Sequence, residues 1–477
     1  MTTGPGPVRG YSDPVRARLV QRCLGWRGAR SPIADRLALI LVGTLAWDVV
    51  TSGLLRILSF RSTPVVIGLL FAGFWAAALL CIAACRATLW PALSRVNPAR
   101  LLGAAPVLLA VVAAGTAIQV GEAVAGPTPI TNDTTAVTVC AAQDMLRGQN
   151  PYQTPELACL HRLGLSPMLS TPLARGPFVH LRRYPTRAQI LGAARQAVRG
   201  SSAARAFLAH AEYPPLAPVW ILPVAWTAQR WRVLWTVGAL LLFLIVIGRE
   251  AGPYWPAGVL IMLLQFGAGS VVNYVMIGGA EVYAYLLAGL AMIWIRHPRR
   301  SAVCMVLAVG SNQLAWFLVP GYVILAWGQG RLRQRLAAGT AATLLAVVPL
   351  LLIYRGAATA SLGLMFSPEF ALGLGLVVLR QAGYLPHLSE RLLNGTAAVA
   401  MVGGAAWGAL STRWRAVSVL VPVAAFWFAW RSEANLLAQV PFFALMLVIG
   451  LRREGPPTAI DPGESTGLGC PPAVLPA

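Results

Sequence analysis

Apolar residues in this chain gather into long runs, and polar residues fall in short clusters between them. Runs at 36–58, 64–85 and 101–121 each match the roughly 20 residues that an α-helix needs to cross a bilayer. A long polar interval follows, and then further runs at 232–249, 255–272 and 275–295. Four more lie at 337–354, 393–410, 416–430 and 434–451. The runs are rich in Leu, Ala and Val and lack the strict alternation of barrel strands. Lipid admits only helices or closed barrels, so the pattern predicts an all-α polytopic transmembrane bundle.

The polar clusters set the expected topology. Arg296, Arg299 and Arg300 form one basic cluster, and Arg331, Arg333 and Arg335 form another. Cytoplasmic loops collect such residues, which puts the basic segment 1–35 and the Pro/Gly-rich tail 452–477 in the cytoplasm. The interval 122–212 is then external, and at about ninety residues it is too long to be a mere connector. Four full crossings between it and the Arg296 cluster would end on the wrong side. Tyr213–Trp226 carries four prolines, so it is expected to re-enter rather than cross. Residues 301–328 also lie between two basic clusters, which predicts a turn within the membrane at Ser311–Gln313. The total comes to about eleven spans, with one or two re-entrant segments and a second external loop at 355–392. Residues 36–100 read as two accessory helices and 101–451 as the core, with no internal repeat. The first 35 residues lack the apolar core of a cleavable signal peptide.

Composition agrees with this picture: 57% of residues are hydrophobic and only 11% charged. The net charge of +22 would suggest nucleic acid in a soluble protein. Here every basic residue is Arg and sits between apolar runs, so the expected partner is the bilayer and not nucleic acid. The seven cysteines show no metal-ligand spacing. Cys81, Cys85 and Cys304 fall in apolar helices as core residues. Cys140 and Cys159 both fall in the external loop, where a disulfide is one option.

Candidate chemistry sits at the external ends of the spans, where ionisable groups are expensive to place. Asp133 lies where the chain leaves the third span, and 134–147 reads as a helix with Ala136, Val139, Cys140, Gln143, Met145 and Leu146 on its packed face. Asp133 is then either an N-cap or a functional carboxylate. Asp144, on the same helix, reads as a solvated second choice. Arg431 faces outside against the positive-inside rule, with Glu433 as a neutralising partner. Arg355, Arg380 and His210 are further external cations, and Glu281 opens a helix end. Arg182, Arg183 and Arg187 suit an acceptor or anionic headgroups. Asp48 is read as a partner for Arg56. The sixteen tryptophans read mainly as interfacial belts.

Several stretches together carry a resemblance. Asp133 heads the external loop, the helix after it ends in Gly148-Gln149-Asn150-Pro151-Tyr152, and Tyr213-Pro214-Pro215 opens the next membrane segment. Further matches are Gly278–Met292, Ser311–Pro320 and Phe426–Leu445. In this order and topology, residues 100–451 resemble the GT-C superfamily of integral-membrane glycosyltransferases. The branch they look most like is the bacterial polyprenol-phosphate-mannose-dependent mannosyltransferases of cell-wall assembly. The resemblance implies an inverting transfer of a sugar from a polyprenyl-phosphate donor to a glycolipid or glycan acceptor, at the outer face of the plasma membrane. It implies Asp133 as catalytic base, Arg431, Arg355 and His210 as binders of the donor phosphate, and Tyr152, Tyr213, Glu281 and Gln313 as substrate contacts. Neither a cofactor nor a metal is implied. Two departures stand out: Asn312 where relatives often carry a basic residue, and Ala280-Glu281 where they often carry Asn-Asp. Two rival readings stay open, a transporter or flippase for a lipid-linked sugar and a non-catalytic assembly subunit.

Overall fold

The structure is a computed structural model. It describes residues 32–49, 64–85, 102–126, 130, 132–166, 185–186, 188–189, 192, 210–267, 278–365, 372–373, 375–411, 414–429, 431–432 and 439–452. Among these, 265–267, 363–365, 372–373 and 431–432 are described by their backbone alone.

Helices account for almost all of it. In chain order they are α1 (Pro32–Val49), α2 (Pro64–Cys85), α3 (Ala105–Ala125), α4 (Asp133–Leu146), α5 (Leu157–Arg162), α6 (Leu216–Val219), α7 (Gln229–Ala251), α8 (Trp255–Gly267) and α9 (Glu281–Ile293). Then come α10 (Pro298–Ser311), α11 (Leu314–Gly328), α12 (Leu332–Ala342), α13 (Val348–Ile353), α14 (Ala357–Met365), α15 (Val377–Gln381), α16 (Glu390–Leu410), α17 (Val417–Ala425) and α18 (Gln439–Gly450). The only strand pairing among the described residues is a parallel bridge of two residues each, β1 (Leu372–Gly373) with β2 (Arg431–Ser432).

Among the described residues, five helical stretches are long and apolar enough to cross a membrane. They are Pro64–Cys85, Ala105–Ala125, Gln229–Leu264, Leu332–Ile353 and Glu390–Leu410. By length and composition, this is a multi-pass membrane protein. The Gln229–Leu264 stretch is α7 and α8 taken together; a 3₁₀ turn at Gly252–Tyr254 separates them, and they pack on each other. Leu332–Ile353 joins α12 to α13 through a π-helical turn at Thr343–Val347. Its surface shows why lipid is the fitting solvent: Leu345 is 80% exposed and Leu352 73%. Contiguous apolar faces of that kind are unfavourable in water and neutral among acyl chains. Among the described residues, α9, α11, α18 and Val417–Phe428 are shorter apolar helices, and α1 covers only the first part of the run expected at 36–58.

The core centres on α18, whose twelve residues are all buried. A helix that is apolar all round belongs in the interior, and α18 packs against α1, α2, α7, α8, α9 and α17. The pair read as accessory, α1 and α2, shares this core. Trp427 stacks on Phe74 at 4.4 Å between ring centroids and meets Phe71 edge-on at 4.6 Å. Trp47 adds an edge contact to Phe74 at 5.6 Å. Trp47 and Trp427 are therefore core residues and not belt residues, unlike the exposed Trp226, Trp231, Trp255 and Trp327.

On α16, Gly404 and Gly408 are four apart on one face, and a β-carbon on either would collide with Val421 or Ser418 of α17. Small residues at that spacing let two backbones approach in lipid, where packing rather than apolar transfer holds helices together.

The turn expected at Ser311–Gln313 is present. Asn312 is extended, its Oδ1 accepts from the Leu314 amide at 2.9 Å, and α11 starts there. Ser301 of α10 and Tyr322 of α11 hydrogen-bond at 2.8 Å, so the two helices fold back as a hairpin. Tyr213–Trp226 holds no long helix; its prolines leave only α6 and a 3₁₀ turn at Leu222–Val224.

Candidate functional site

The helix α4 organises the candidate site. It begins because Asn132 is extended and its side chain accepts from the Thr134 amide at 2.7 Å. The cap is thus Asn132, and Asp133 occupies the first helical position, half-buried. Asp133 Oδ1 also accepts from the Thr134 amide, at 2.8 Å.

The helix was expected to show one packed face. Instead every residue from Thr135 to Met145 is buried, while Leu146 is exposed. Three sets of neighbours explain this. Ile130, Leu157, Leu160 and Leu165 cover one side, closed by a Cys140–Cys159 disulfide. Ile221, Val224, Ala225, Ala280 and Tyr283 cover another, with Gln143 donating to the Ala225 carbonyl at 2.8 Å. Tyr152, Ala211 and Ala357 meet Ala141 on the third.

A chain of hydrogen bonds gathers several expected site residues around the start of α4. The Tyr213 hydroxyl donates to Thr134 Oγ1 at 2.7 Å, next door to Asp133. The Tyr152 hydroxyl donates to the Tyr213 carbonyl at 2.8 Å. Gln313, buried at the α10–α11 turn, donates to the Glu212 carbonyl at 2.6 Å and the Ser361 carbonyl at 3.3 Å. Asn150 receives the Tyr152 amide at 3.0 Å and donates to the Arg355 carbonyl at 2.9 Å. Motifs at 133, 152, 213, 313 and 355 are thereby one assembly. Arg355 joins through its backbone, and its side chain is exposed.

His210 lies at the same junction, because the Ala211 amide donates to the Pro151 carbonyl at 3.3 Å. It is half-buried, and burial pulls its pKa below the usual histidine value against a hydrogen bond with the Thr154 backbone. Its Nδ1 has no partner among the described residues. Glu281 stands elsewhere. It is buried at the start of α9, whose Ala280 and Tyr283 pack on Val139 and Ala142. Those positions are roughly two turns along α4 from Asp133. Arg380 is engaged locally, donating to the Leu388 carbonyl at 2.8 Å.

Arg431 pairs by its backbone with Leu372, and its side chain lies outside the described residues. Glu433, Arg56, Arg182, Arg183 and Arg187 also lie outside them.

Asp144 corrects an expectation: it is buried and not solvated, because α4 is covered on all sides. Arg147 Nη1 meets its Oδ1 at 3.2 Å, and the same guanidinium lies 4.6 Å over the Trp226 ring. Burial raises the Asp144 pKa, with Arg147 opposing.

Nothing in the sequence marked Glu156. Following a proline at a helix start, it reads as an ordinary exposed cap, yet it is 1% exposed. Burial pushes its pKa well above the usual carboxylate range, and the Asp144 charge adds to the shift. The folded state therefore holds this proton where the unfolded chain releases it. That part of the stability is complete below about pH 4.5 and is lost as pH climbs toward the raised folded value. Glu156→Gln should flatten the decline of the unfolding midpoint as pH rises above about 4.5. Parallel wild-type and variant profiles would refute this. The Glu156 carboxyl and the Cys140 and Cys159 sulfurs lie within 4.8 Å of one another, though the two sulfurs are bonded to each other.

No family model, no curated protein and no solved structure matches this chain. The site must be read from its own chemistry.

Proposed function

We propose that the chain is an inverting membrane glycosyltransferase of GT-C type. In this reading it moves a sugar, mannose in the branch it resembles, from a polyprenyl phosphate to a glycolipid or cell-wall glycan at the outer face of the plasma membrane. Both termini are cytoplasmic, about eleven segments cross, and Tyr213–Trp226 dips into the outer leaflet. One observation carries the reading. A hydrogen-bonded assembly joins Tyr213, Tyr152 and Gln313, from three of the resembling motifs, and its Tyr213 hydroxyl reaches Thr134, the neighbour of Asp133.

Asp133 is the base. As the acceptor hydroxyl attacks the anomeric carbon, its proton passes to the Asp133 carboxylate and the sugar–phosphate bond breaks on the opposite face. Negative charge then develops on the departing lipid phosphate. Arg431, Arg355 and His210 are the groups proposed to hold it, the arginines by bidentate hydrogen bonds. Tyr152 and Tyr213 shape the wall of the sugar pocket, with Gln313 and Glu281 as polar contacts.

The test uses membranes containing the full chain, supplied with radiolabelled polyprenyl-phosphate mannose and, separately, glucose. Transfer of label to an endogenous lipid or glycan acceptor is expected with one donor. Label that stays on the donor in both cases, while crossing sealed vesicles, would favour the flippase reading and overturn this one.

A further inference from the structure

We propose that Glu156, Cys140 and Cys159 form a latent site for a thiophilic divalent cation of the Zn²⁺ or Cd²⁺ kind, opened when the Cys140–Cys159 disulfide is reduced. The three ligand atoms lie within 4.8 Å of one another. They are also firmly placed. Cys140 is on the fully enclosed α4, while Glu156 and Cys159 are three apart at the start of α5, so both face the same way. Ile130, Ala136, Val137, Leu157, Leu160 and Leu165 pack around Cys140, while Cys159 is only half-buried, which leaves a way in for reductant and cation.

The second observation is the carboxyl itself. Glu156 is 1% exposed, and neither of its oxygens has a hydrogen-bond partner among the described residues. It stands at the cap position of α5 without making the cap bond. A buried polar group in that condition is costly, and a cation bound to it would offset the cost.

The donor set selects the ion. Two sulfurs and one carboxylate suit borderline-soft Zn²⁺ or Cd²⁺ and not Mg²⁺ or Ca²⁺, which take oxygen ligands. Tetrahedral zinc with metal–sulfur bonds of about 2.3 Å would hold the sulfurs roughly 3.8 Å apart. The Cys140 and Cys159 Cα atoms are 5.9 Å apart, which accommodates that spacing by rotation of the two side chains. Three protein ligands leave the fourth position to water, as in open zinc sites.

The redox step balances with a dithiol as reductant. It gives two electrons and two protons to the Sγ–Sγ bond and becomes a disulfide itself, leaving two cysteine thiols. The cation then displaces both thiol protons and the Glu156 proton, all three passing to solvent, and Glu156 enters as carboxylate. Bound metal blocks reoxidation, so the cation would trap the reduced form.

The test uses the full chain in detergent, oxidised or reduced with a dithiol that is removed by gel filtration before Cd²⁺ is added. Reduced protein should retain about one more Cd²⁺ per chain than oxidised protein, with cadmium–thiolate absorption in the ultraviolet. Glu156→Gln, nearly isosteric, should weaken this binding by about tenfold or more. The double variant Cys140→Ala, Cys159→Ala should show no gain on reduction. Equal binding before and after reduction, or unchanged affinity in Glu156→Gln, would overturn the proposal. If the double variant does not fold, peptide mapping decides on the wild type. Cd²⁺ should slow alkylation of Cys140 and Cys159 after reduction, and unchanged alkylation rates would count against the site.

Discussion

Asp133→Asn should lower sugar transfer by about 10²- to 10⁴-fold while leaving the fold intact, which is the range that a positioned proton acceptor contributes. Asn132 is the cap residue, and its side chain accepts from the Thr134 amide independently of Asp133, so the substitution leaves α4 its N-terminus. What it removes from stability is the interaction of one charge with the helix dipole, about 0.3–1 kcal/mol. The Asn side chain can still accept from the Thr134 amide as Asp133 Oδ1 does at 2.8 Å. Initial rates with the labelled donor, read beside the thermal midpoint of each purified protein, separate the two effects. A rate within twofold of wild type would remove Asp133 from the role of base. Tyr213→Phe is the informative companion. It deletes only the hydroxyl that reaches Thr134 at 2.7 Å, and a single buried hydrogen bond is worth about 1 kcal/mol.

These residues show what a linear pattern reveals and what it hides. Hydropathy finds α2 to the residue and α3 to within a few, because span length is fixed by bilayer thickness and needs no tertiary information. The break at Asn312 was legible too, since two basic clusters with too few residues between them force a turn. Asp133, Tyr152, Tyr213 and Gln313 could be picked out one by one, but only the fold shows them to be one assembly. The burial of Asp144 and of Glu156 was missed for a different reason. A charged side chain on a short loop helix normally points to water, and its burial depends on three separate segments converging on α4. No local period encodes that convergence. The tryptophans fail in the same way: belt and core positions look alike in sequence, and only the neighbours distinguish Trp427 from Trp327.

Trp427→Ala is accordingly expected to be the most damaging single change to the fold, at about 3–5 kcal/mol. Trp427 is 1% exposed and holds a stacked contact to Phe74 and an edge contact to Phe71, so truncation opens a cavity between α2 and the end of α17. In a bilayer the apolar transfer part of that cost shrinks, since lipid is as apolar as the core, and lost packing dominates. The lower half of the range is therefore the better expectation. Trp427→Phe keeps a ring for Phe74 to stack on and should recover more than half of the loss. Trp407 supplies the control: it is 48% exposed and touches Trp414 at 4.5 Å, so Trp407→Ala should cost less than about 1 kcal/mol. Unfolding midpoints of the three variants in one detergent give the comparison, and equal losses at 427 and 407 would refute the core assignment. The change also reaches toward the proposed donor site. The Trp427 carbonyl accepts from the Leu376 amide at 2.9 Å, beside the bridge that pairs Leu372 with Arg431. If Arg431 holds the lipid phosphate, loosening that bridge should raise KM for the donor at temperatures where Trp427→Phe is still folded. Trp407→Ala should leave KM unchanged, because it has no part in the bridge.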